Sequence, residues 1–182
     1  PDAPTLLVTG GSLGALHVNE SVTGAADALP EGAQVVHLTG RGKDEAVRAA
    51  VEAAGLSERW HVIDYLTTME DALAVADLVV CRSGAGTVAE MEALGLPCIY
   101  VPLPIGNGEQ RLNAADHVAA GGAQLIDDKD FTADFVRRNV FPLLGSARLE
   151  DMAAASQSLG RAGAARALAD LALEQVKEAG DE

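Results

Sequence analysis

The sequence is poor in aromatic residues and in cysteine. One tryptophan, two tyrosines and three phenylalanines make up 3% of its 182 residues, so a packed core must depend on alanine, valine and leucine. The two cysteines, Cys81 and Cys98, each lie in an apolar run and form no CxxC pair. This usage excludes a disulfide framework and a cysteine metal site. It predicts reduced, buried cysteine side chains in a cytoplasmic protein.

Basic residues and long apolar runs are also scarce. Lysine and arginine number 13 against 27 acidic residues, which gives a net charge of -14. That balance excludes a general nucleic-acid or anionic-membrane surface and is otherwise typical of a soluble protein. No apolar run approaches the ~18 residues of a membrane span, and no signal peptide opens the sequence. The 4 histidines are scattered without a ligand spacing, so we expect neither a metal nor a cofactor.

What the chain does contain is an alternation of short apolar runs with helix-length amphipathic segments. Such runs, separated by helices, predict a parallel sheet covered on both faces. We therefore expect one Rossmann-like, doubly wound α/β domain over residues 1–182, with its core at 1–145 and helices at 146–178, including 162–176. The predicted strands cover residues 5–9, 34–38, 60–63, 78–81, 98–101 and 123–126. The predicted helices before residue 146 cover residues 15–28, 44–54, 69–75, 88–94, 109–120 and 133–144.

In a doubly wound sheet, ligands bind beyond the carboxyl ends of the strands, where the strand order reverses. The turn after the first predicted strand reads GGSLGA (residues 10–15). It is not the GxGxxG dinucleotide fingerprint, because Ser12 stands at the second glycine and no acidic residue ends the second strand. A glycine-lined turn into a helix suits a diphosphate, with the Ser12 hydroxyl as a further donor. A purely structural tight turn is the alternative.

After the fourth predicted strand, the chain reads CRSGAGTVAE (residues 81–90). Thr87 and Glu90 fit a capping box, in which Thr87 caps the helix and Glu90 bonds back to a backbone N–H. The alternative is that Glu90 accepts hydrogen bonds from two ribose hydroxyls, as acidic residues do in dinucleotide folds. This second interpretation also accounts for the preceding glycines, which let the backbone approach a ligand closely.

The turn after the fifth predicted strand, PLPIGNGEQRLNA (residues 102–114), brings polar side chains to the same edge of the sheet. Helical spacing places Glu109 and Gln110 beside Asn113 on one face. Two amides and a carboxylate suit the hydroxyls of a sugar. A solvated helix start is the alternative.

Together, GGSLGA, CRSGAGTVAE and GNGEQRLNA resemble the C-terminal half of the MurG-type glycosyltransferases, from Thr5 to about Leu171. These two-domain GT-B enzymes transfer N-acetylglucosamine from UDP-N-acetylglucosamine to the undecaprenyl-linked muramoyl-pentapeptide of peptidoglycan synthesis. The resemblance implies an inverting transfer without a tightly held metal, by an enzyme peripheral to the cytoplasmic face of the membrane. It also implies that this chain is the donor-binding half, inactive alone, with the acceptor site and the catalytic base in an N-terminal domain that the sequence lacks.

Carried over position by position, the resemblance implies a donor site built from four segments. The implied residues are Gly11, Ser12, Gly14, Tyr65, Leu66, Met69, Ala85, Gly86, Thr87, Val88, Ala89, Glu90, Glu109, Gln110 and Asn113. In this scheme Ser12 would contact the phosphates. Tyr65 and Met69 would border the uracil, and the backbone of Leu66 would pair with its edge.

The same scheme assigns the ribose and the sugar to the two later turns. Residues 85–89 would offer backbone contacts to the nucleotide, and Glu90 would hold the ribose. Gln110 would bind the hydroxyls of N-acetylglucosamine, with Glu109 and Asn113 nearby.

Three positions depart from the family pattern, and two other functions stay open. Leu13 and Glu109 each stand where many members have glutamine, and Gly86 replaces a larger apolar residue.

The first alternative function is another enzyme on the same half-fold, such as a UDP-sugar epimerase or a glycolipid transferase. The second is a non-catalytic nucleotide-sensing module.

Overall fold

The computed structural model describes residues 3–11, 15–105 and 107–160, and they contain a parallel β-sheet. Its strands are β1 (Thr5–Thr9), β2 (Gln34–Leu38), β3 (Trp60–Ile63), β4 (Leu78–Cys81), β5 (Cys98–Tyr100) and β6 (Ala123–Leu125). The strand order is β3-β2-β1-β4-β5-β6, and each neighbouring pair is parallel. This is the order of a Rossmann-like doubly wound sheet, so the predicted fold class is confirmed. Each predicted strand is present, with β5 and β6 one residue shorter than expected.

Helices connect the strands and cover the sheet. Those within the described residues are α1 (Leu16–Thr23), α2 (Glu45–Ala53), α3 (Met69–Ala74), α4 (Ala85–Leu94), α5 (Glu109–Asn113), α6 (Ala115–Ala119), α7 (Ala133–Phe135) and α8 (Ala147–Leu159). The predicted helix at 109–120 is divided into α5 and α6 at Ala114. The predicted helix at 133–144 is α7 followed by a π-helical turn and a 3₁₀ turn, since Pro142 has no backbone N–H with which to continue an α-helix.

The strands contribute side chains to two apolar layers, one on each face of the sheet. Leu6 and Val8 of β1 pack in one layer together with Phe131, while Leu7 packs in the other layer with Met91 of α4. All five side chains are at most 1% exposed. The central strands β1, β4 and β5 are therefore buried on both faces, as their apolar sequences predict.

Buried hydrogen bonds fix α8 against the sheet. The Tyr100 hydroxyl donates to Nδ1 of His117 (2.9 Å), and Nε2 of His117 donates to Oγ of Ser156 (2.7 Å). The Ser156 hydroxyl in turn donates to the carbonyl oxygen of Gly122 (3.2 Å). All three side chains are buried, and each of their polar atoms has a partner, as buried polar groups require.

Three further expectations concern the predicted C-terminal helix, membrane-spanning helices and metal sites. The predicted helix at 162–176 lies outside the described residues. Among the helices of residues 3–160 that the structure describes, none is long and apolar enough to cross a membrane. The same residues contain no group of three or more histidine, cysteine, aspartate or glutamate side chains placed to hold a metal ion.

Candidate functional site

The sheet reverses its winding between β1 and β4, and a cavity opens beyond their carboxyl ends. The two strands are direct neighbours, with Thr9 opposite Cys81 at the last paired position. The cavity has a volume of about 270 Å³. Its lining includes Thr9, Gly11, Gly40, Asp64, Tyr65, Leu66, Met69, Arg82, Thr87 and Glu90. The structure thus brings the turns after β1, β3 and β4 to one cavity, which we call the nucleotide cavity.

Helix α4 presents Thr87 and Glu90 to the nucleotide cavity from one face, three residues apart. The helix begins at Ala85, with Gly84 as its N-cap in an extended conformation, and no side chain caps it. The capping-box interpretation was therefore wrong, because Thr87 already lies inside the helix and cannot cap it. The side chain of Glu90 is exposed and accessible to a ligand.

The other implied residues of this segment have small or buried side chains. Val88 is 4% exposed and packs in the core, whereas Ala85, Gly86 and Ala89 are exposed on α4. With Gly84 at the N-cap, no side chain competes for the N–H groups of the first turn. Backbone donors at a helix start suit an anion or a carbonyl oxygen of a ligand.

The turn after β3 forms another wall of the nucleotide cavity. Tyr65, Leu66 and Met69 all line the nucleotide cavity, and their implied contacts with a uracil stay a prediction. The backbone N–H of Tyr65 donates to Oδ1 of the neighbouring Asp64 (2.8 Å), which sets the course of the chain as it leaves the strand. Tyr65 is 42% exposed, so it lies at the mouth of the cavity.

The turn after β1 is only partly described. Gly11 lines the cavity and donates from its backbone N–H to Oγ1 of Thr9 (3.3 Å). Its φ of 81° is one that a residue with a side chain rarely adopts, which explains the glycine at this position. Ser12, Leu13 and Gly14 lie outside the described residues, so the implied phosphate contact of Ser12 stays a prediction.

A second cavity, of about 470 Å³, lies between the loop after β5, the start of α5 and the 3₁₀ turn at Asp128–Asp130. Glu109 and Gln110 line this cavity, which we call the sugar-side cavity. Oε1 of Gln110 accepts a hydrogen bond from the backbone N–H of Leu103 (2.9 Å). The bond turns the amide of Gln110 so that its carbonyl oxygen holds the loop, and the amide NH₂ is the group left to meet a ligand.

Asn113 does not share this cavity with Gln110, although the helical spacing predicts one polar face. Its Nδ2 donates instead to the backbone carbonyl oxygen of Ser83 (3.1 Å), in the turn between β4 and α4. Asn113 therefore connects the helix of the sugar-side cavity to the turn of the nucleotide cavity.

An ion pair that the sequence reasoning missed joins the two cavities. Nη1 of Arg82 donates to Oδ1 of Asp128 (2.5 Å) and to the carbonyl oxygens of Val101 and Pro102 (3.0 and 3.1 Å). The side chains of Arg82 and Asp128 are only 14% and 16% exposed. Arg82 lines the nucleotide cavity and Asp128 lines the sugar-side cavity. A lone arginine directly after a buried strand was the available sequence signal, but its partner is 46 residues away.

A buried polar network holds the end of β2 beside the nucleotide cavity. Nε1 of Trp60 donates to Nδ1 of His37 (3.3 Å), so the proton of the neutral imidazole is on Nε2, which donates to Oδ1 of Asn19 (3.0 Å). Nδ2 of Asn19 then donates to the carbonyl oxygen of Thr39 (3.0 Å), directly before Gly40 in the cavity wall. Burial lowers the pKa of His37 from 6.5 to about 3, which keeps the ring neutral in this role.

The sequence profile of the glycosyltransferase family 28 C-terminal domain matches residues 5–171 of the chain. The chain belongs to this family. The resemblance to MurG-type glycosyltransferases is thereby confirmed at the level of the domain.

Curated relatives are about half identical to the chain. A UDP-N-acetylglucosamine--N-acetylmuramyl-(pentapeptide) pyrophosphoryl-undecaprenol N-acetylglucosamine transferase of Paenarthrobacter aurescens (strain TC1) is 47% identical over 175 residues, which are 95% of this chain and 46% of that protein. The protein of the same name from Bifidobacterium adolescentis is 51% identical over 157 residues, or 79% of this chain and 40% of that protein. The chain thus spans less than half the length of these relatives.

Solved structures agree with this assignment. MurG of Acinetobacter baumannii superposes with a TM-score of 0.83 at 29% identity, covering 92% of this chain and 51% of that one. A UDP-N-acetylglucosamine 2-epimerase superposes with a TM-score of 0.68 at 20% identity, covering 97% of this chain and 44% of that one. At that identity the second match shows a shared fold and nothing about activity.

Proposed function

We propose that this family 28 domain binds UDP-N-acetylglucosamine. In the intact enzyme it supplies the donor side of N-acetylglucosamine transfer to an undecaprenyl-linked muramoyl-pentapeptide. Two relatives that are 47% and 51% identical to the chain are named for this donor and acceptor, which supports the proposal. The observation that carries the proposal is the meeting of Tyr65, Leu66 and Glu90 in one cavity, at the point where the strand order reverses.

The nucleotide fits the nucleotide cavity by the chemistry of its walls. The uracil lies against Tyr65, Leu66 and Met69, with the Leu66 backbone at the base edge. The ribose hydroxyls donate to Glu90, whose carboxylate would repel a phosphate but accepts hydrogen bonds from neutral hydroxyls. The phosphates lie at the helix start after β1, where backbone N–H groups stabilise negative charge.

The sugar extends from the diphosphate towards the sugar-side cavity. There Gln110 offers its amide NH₂ to the hydroxyls of N-acetylglucosamine, and the neighbouring Glu109 is available to accept from them. The ion pair of Arg82 with Asp128 connects the walls of both cavities, so it fixes the distance between the nucleotide and sugar contacts.

The transfer itself is a displacement at the anomeric carbon of the sugar. The acceptor oxygen forms a bond to this carbon while the bond from the carbon to the diphosphate oxygen breaks, and UDP leaves with the electron pair. The domain assists by stabilising the negative charge of the departing UDP with helix N-termini and hydrogen bonds. A base must take the acceptor's proton, and none of the residues above is assigned that role. This domain alone is therefore expected to bind the donor without transferring its sugar.

The acceptor determines where the reaction takes place. Because the acceptor carries a long undecaprenyl chain, we expect the intact enzyme to work at a membrane surface, which the family resemblance places on the cytoplasmic face. The lipid contacts are not assigned to this domain, whose net charge of -14 does not favour an anionic surface.

The experiment that tests the proposal maps the two ligands separately by backbone NMR. Titration with UDP is expected to shift the amide signals of Leu66, Thr87 and Glu90 while leaving Gln110 unchanged. UDP-N-acetylglucosamine is expected to shift the same signals and, in addition, those of Gln110 and Leu103. Identical shifts for the two ligands, or shifts confined to residues outside both cavities, would overturn the assignment.

A further inference from the structure

The loop after β2 is shaped so that one arginine projects beside the nucleotide cavity. Gly40 and Gly42 flank Arg41 and have φ values of 88° and 70°. A residue with a side chain would be strained at either position, so the sharp course of this loop depends on the two glycines. Gly40 itself lines the cavity, which brings the loop to its edge.

Arg41 lies over the aromatic ring of Tyr65. Its Cζ is 3.9 Å from the ring centroid, well within the range of a cation–π interaction. Within residues 3–11, 15–105 and 107–160, Arg41 makes no ion pair with a carboxylate. The ring of Tyr65 is thus the contact that holds the guanidinium in place. Tyr65 lines the nucleotide cavity and Arg41 does not, so the arginine acts on the cavity through the ring.

Hydrogen bonds hold together the starts of the loop after β2 and the loop after β3. The backbone N–H of Thr39 donates to the carbonyl oxygen of Ile63 (3.0 Å), and the Thr39 carbonyl oxygen accepts from Nδ2 of Asn19 (3.0 Å). The contact of Arg41 with Tyr65 closes the same pair of loops at their tips. With the starts of the loops held together, the contact with Arg41 is the interaction that restrains the half-exposed Tyr65 side chain at its tip.

We propose that Arg41 is a positioning residue for the nucleobase: it holds the Tyr65 ring at the mouth of the cavity, where the ring forms the wall against which the base packs. The inference rests on the proposed function, because it requires that a base occupies this cavity. An exposed tyrosine that is free to change rotamer must be ordered when the ligand binds, and that ordering weakens binding. Arg41 orders the ring beforehand.

A double-mutant cycle with two ligands tests this role. Arg41→Gln, Tyr65→Leu and the double variant are titrated with uridine and with UDP, and binding is followed by NMR. Arg41→Gln is expected to weaken uridine and UDP by the same factor, about two- to fivefold, as for an exposed cation–π contact. In the Tyr65→Leu background the same substitution is expected to change neither affinity, because the ring through which it acts is gone.

A matched control separates charge from position. Arg48→Gln removes the same charge from α2, where Arg48 pairs with Asp44, and is expected to leave both affinities unchanged. Arg41→Lys retains a cation and is expected to lose less affinity than Arg41→Gln. Thermal unfolding of Arg41→Gln should match that of the wild type, since the side chain is exposed.

Other outcomes would contradict the inference in distinct ways. A loss for UDP alone that shrinks in high salt would mean that Arg41 acts on the phosphates. Equal losses in the presence and absence of the Tyr65 ring, or unchanged affinities, would remove its positioning role while leaving the proposed function intact. A folded wild-type protein that binds neither uridine nor UDP would overturn the proposed function and this inference together.

Discussion

Replacing Glu90 by glutamine tests whether this residue binds the ribose or has a structural role instead. Glu90 is exposed on α4, lines the nucleotide cavity, and has no part in capping the helix. A charge-assisted hydrogen bond contributes about 1.5–3 kcal/mol. Water screens an exposed carboxylate, so we expect Glu90→Gln to weaken UDP by about 1–2 kcal/mol, or about 5- to 30-fold. Calorimetric titration with UDP measures this loss directly.

Stability provides the internal check on this prediction. Glutamine and glutamate have similar helix propensities, and Glu90 is surface-exposed, so the free energy of unfolding should change by less than about 0.5 kcal/mol. Glu52→Gln on α2 removes the same charge from an exposed position outside the nucleotide cavity, and UDP should bind this variant as it binds the wild type. Unchanged UDP affinity in Glu90→Gln, with a marked loss of stability in urea, would refute the ribose contact.

Three further predictions concern the sugar contact, the ion pair and acid stability. Gln110→Glu keeps an acceptor for the loop but loses the amide donor, so calorimetry should show weaker binding of UDP-N-acetylglucosamine and unchanged binding of UDP; equal losses would refute a sugar contact. Arg82→Met leaves the carboxylate of Asp128 without its partner and should cost about 3 kcal/mol of unfolding free energy in urea. Arg138→Met, which breaks an exposed pair, should cost less than about 1 kcal/mol, and equal costs would contradict the role assigned to the inner pair. Burial lowers the pKa of His37 from 6.5 to about 3, so the unfolded state binds more protons between these values. The stability due to neutral His37 should be complete above pH 6.5 and fall towards pH 3. His37→Gln should flatten the pH dependence of urea unfolding between about pH 7 and 5, and a wild-type stability that is flat there would refute it.

The strands and the sheet edge that carries the site were predictable because they depend on local patterns. Apolar runs such as Leu78–Cys81 can only be buried in a sheet covered on both faces, and short strands separated by helices imply parallel order. The carboxyl ends of those strands then meet at one edge. For that reason the turns after the strands, including the one that carries Glu90, could be placed at that edge from the pattern, whereas Tyr65 was assigned to the site by the family resemblance.

The start of α4 shows where local patterns fail. Thr87 and Glu90 match a capping box, yet the helix begins at Ala85 because the backbone of Gly84 takes the extended conformation of an N-cap. Glycine caps a helix nearly as well as threonine does, so the two competing starts, three residues apart, differ by at most a few tenths of a kcal/mol in capping energy, which tertiary packing easily outweighs.

The ion pair of Arg82 with Asp128 could not be predicted from the sequence, for a different reason. It joins two turns that are distant in sequence, and its existence depends on the loop after β6 reaching the end of β4. Neither residue has a motif around it that specifies the other. Contacts of this kind follow from the assembled fold and not from spacing along the chain, so they become visible only when the turns have been placed.

The central claim is that this domain holds a uridine diphosphate sugar at the switch point of its sheet, and nucleotide selectivity tests it most directly. Protein of residues 1–182, shown to be folded by circular dichroism, is titrated calorimetrically with UDP-N-acetylglucosamine, UDP, UDP-glucose and ADP-ribose. We expect saturable one-site binding of UDP and UDP-N-acetylglucosamine, weaker binding of UDP-glucose, and none of ADP-ribose. A folded protein that binds no uridine nucleotide, or that binds ADP-ribose as tightly as UDP-N-acetylglucosamine, would contradict the account.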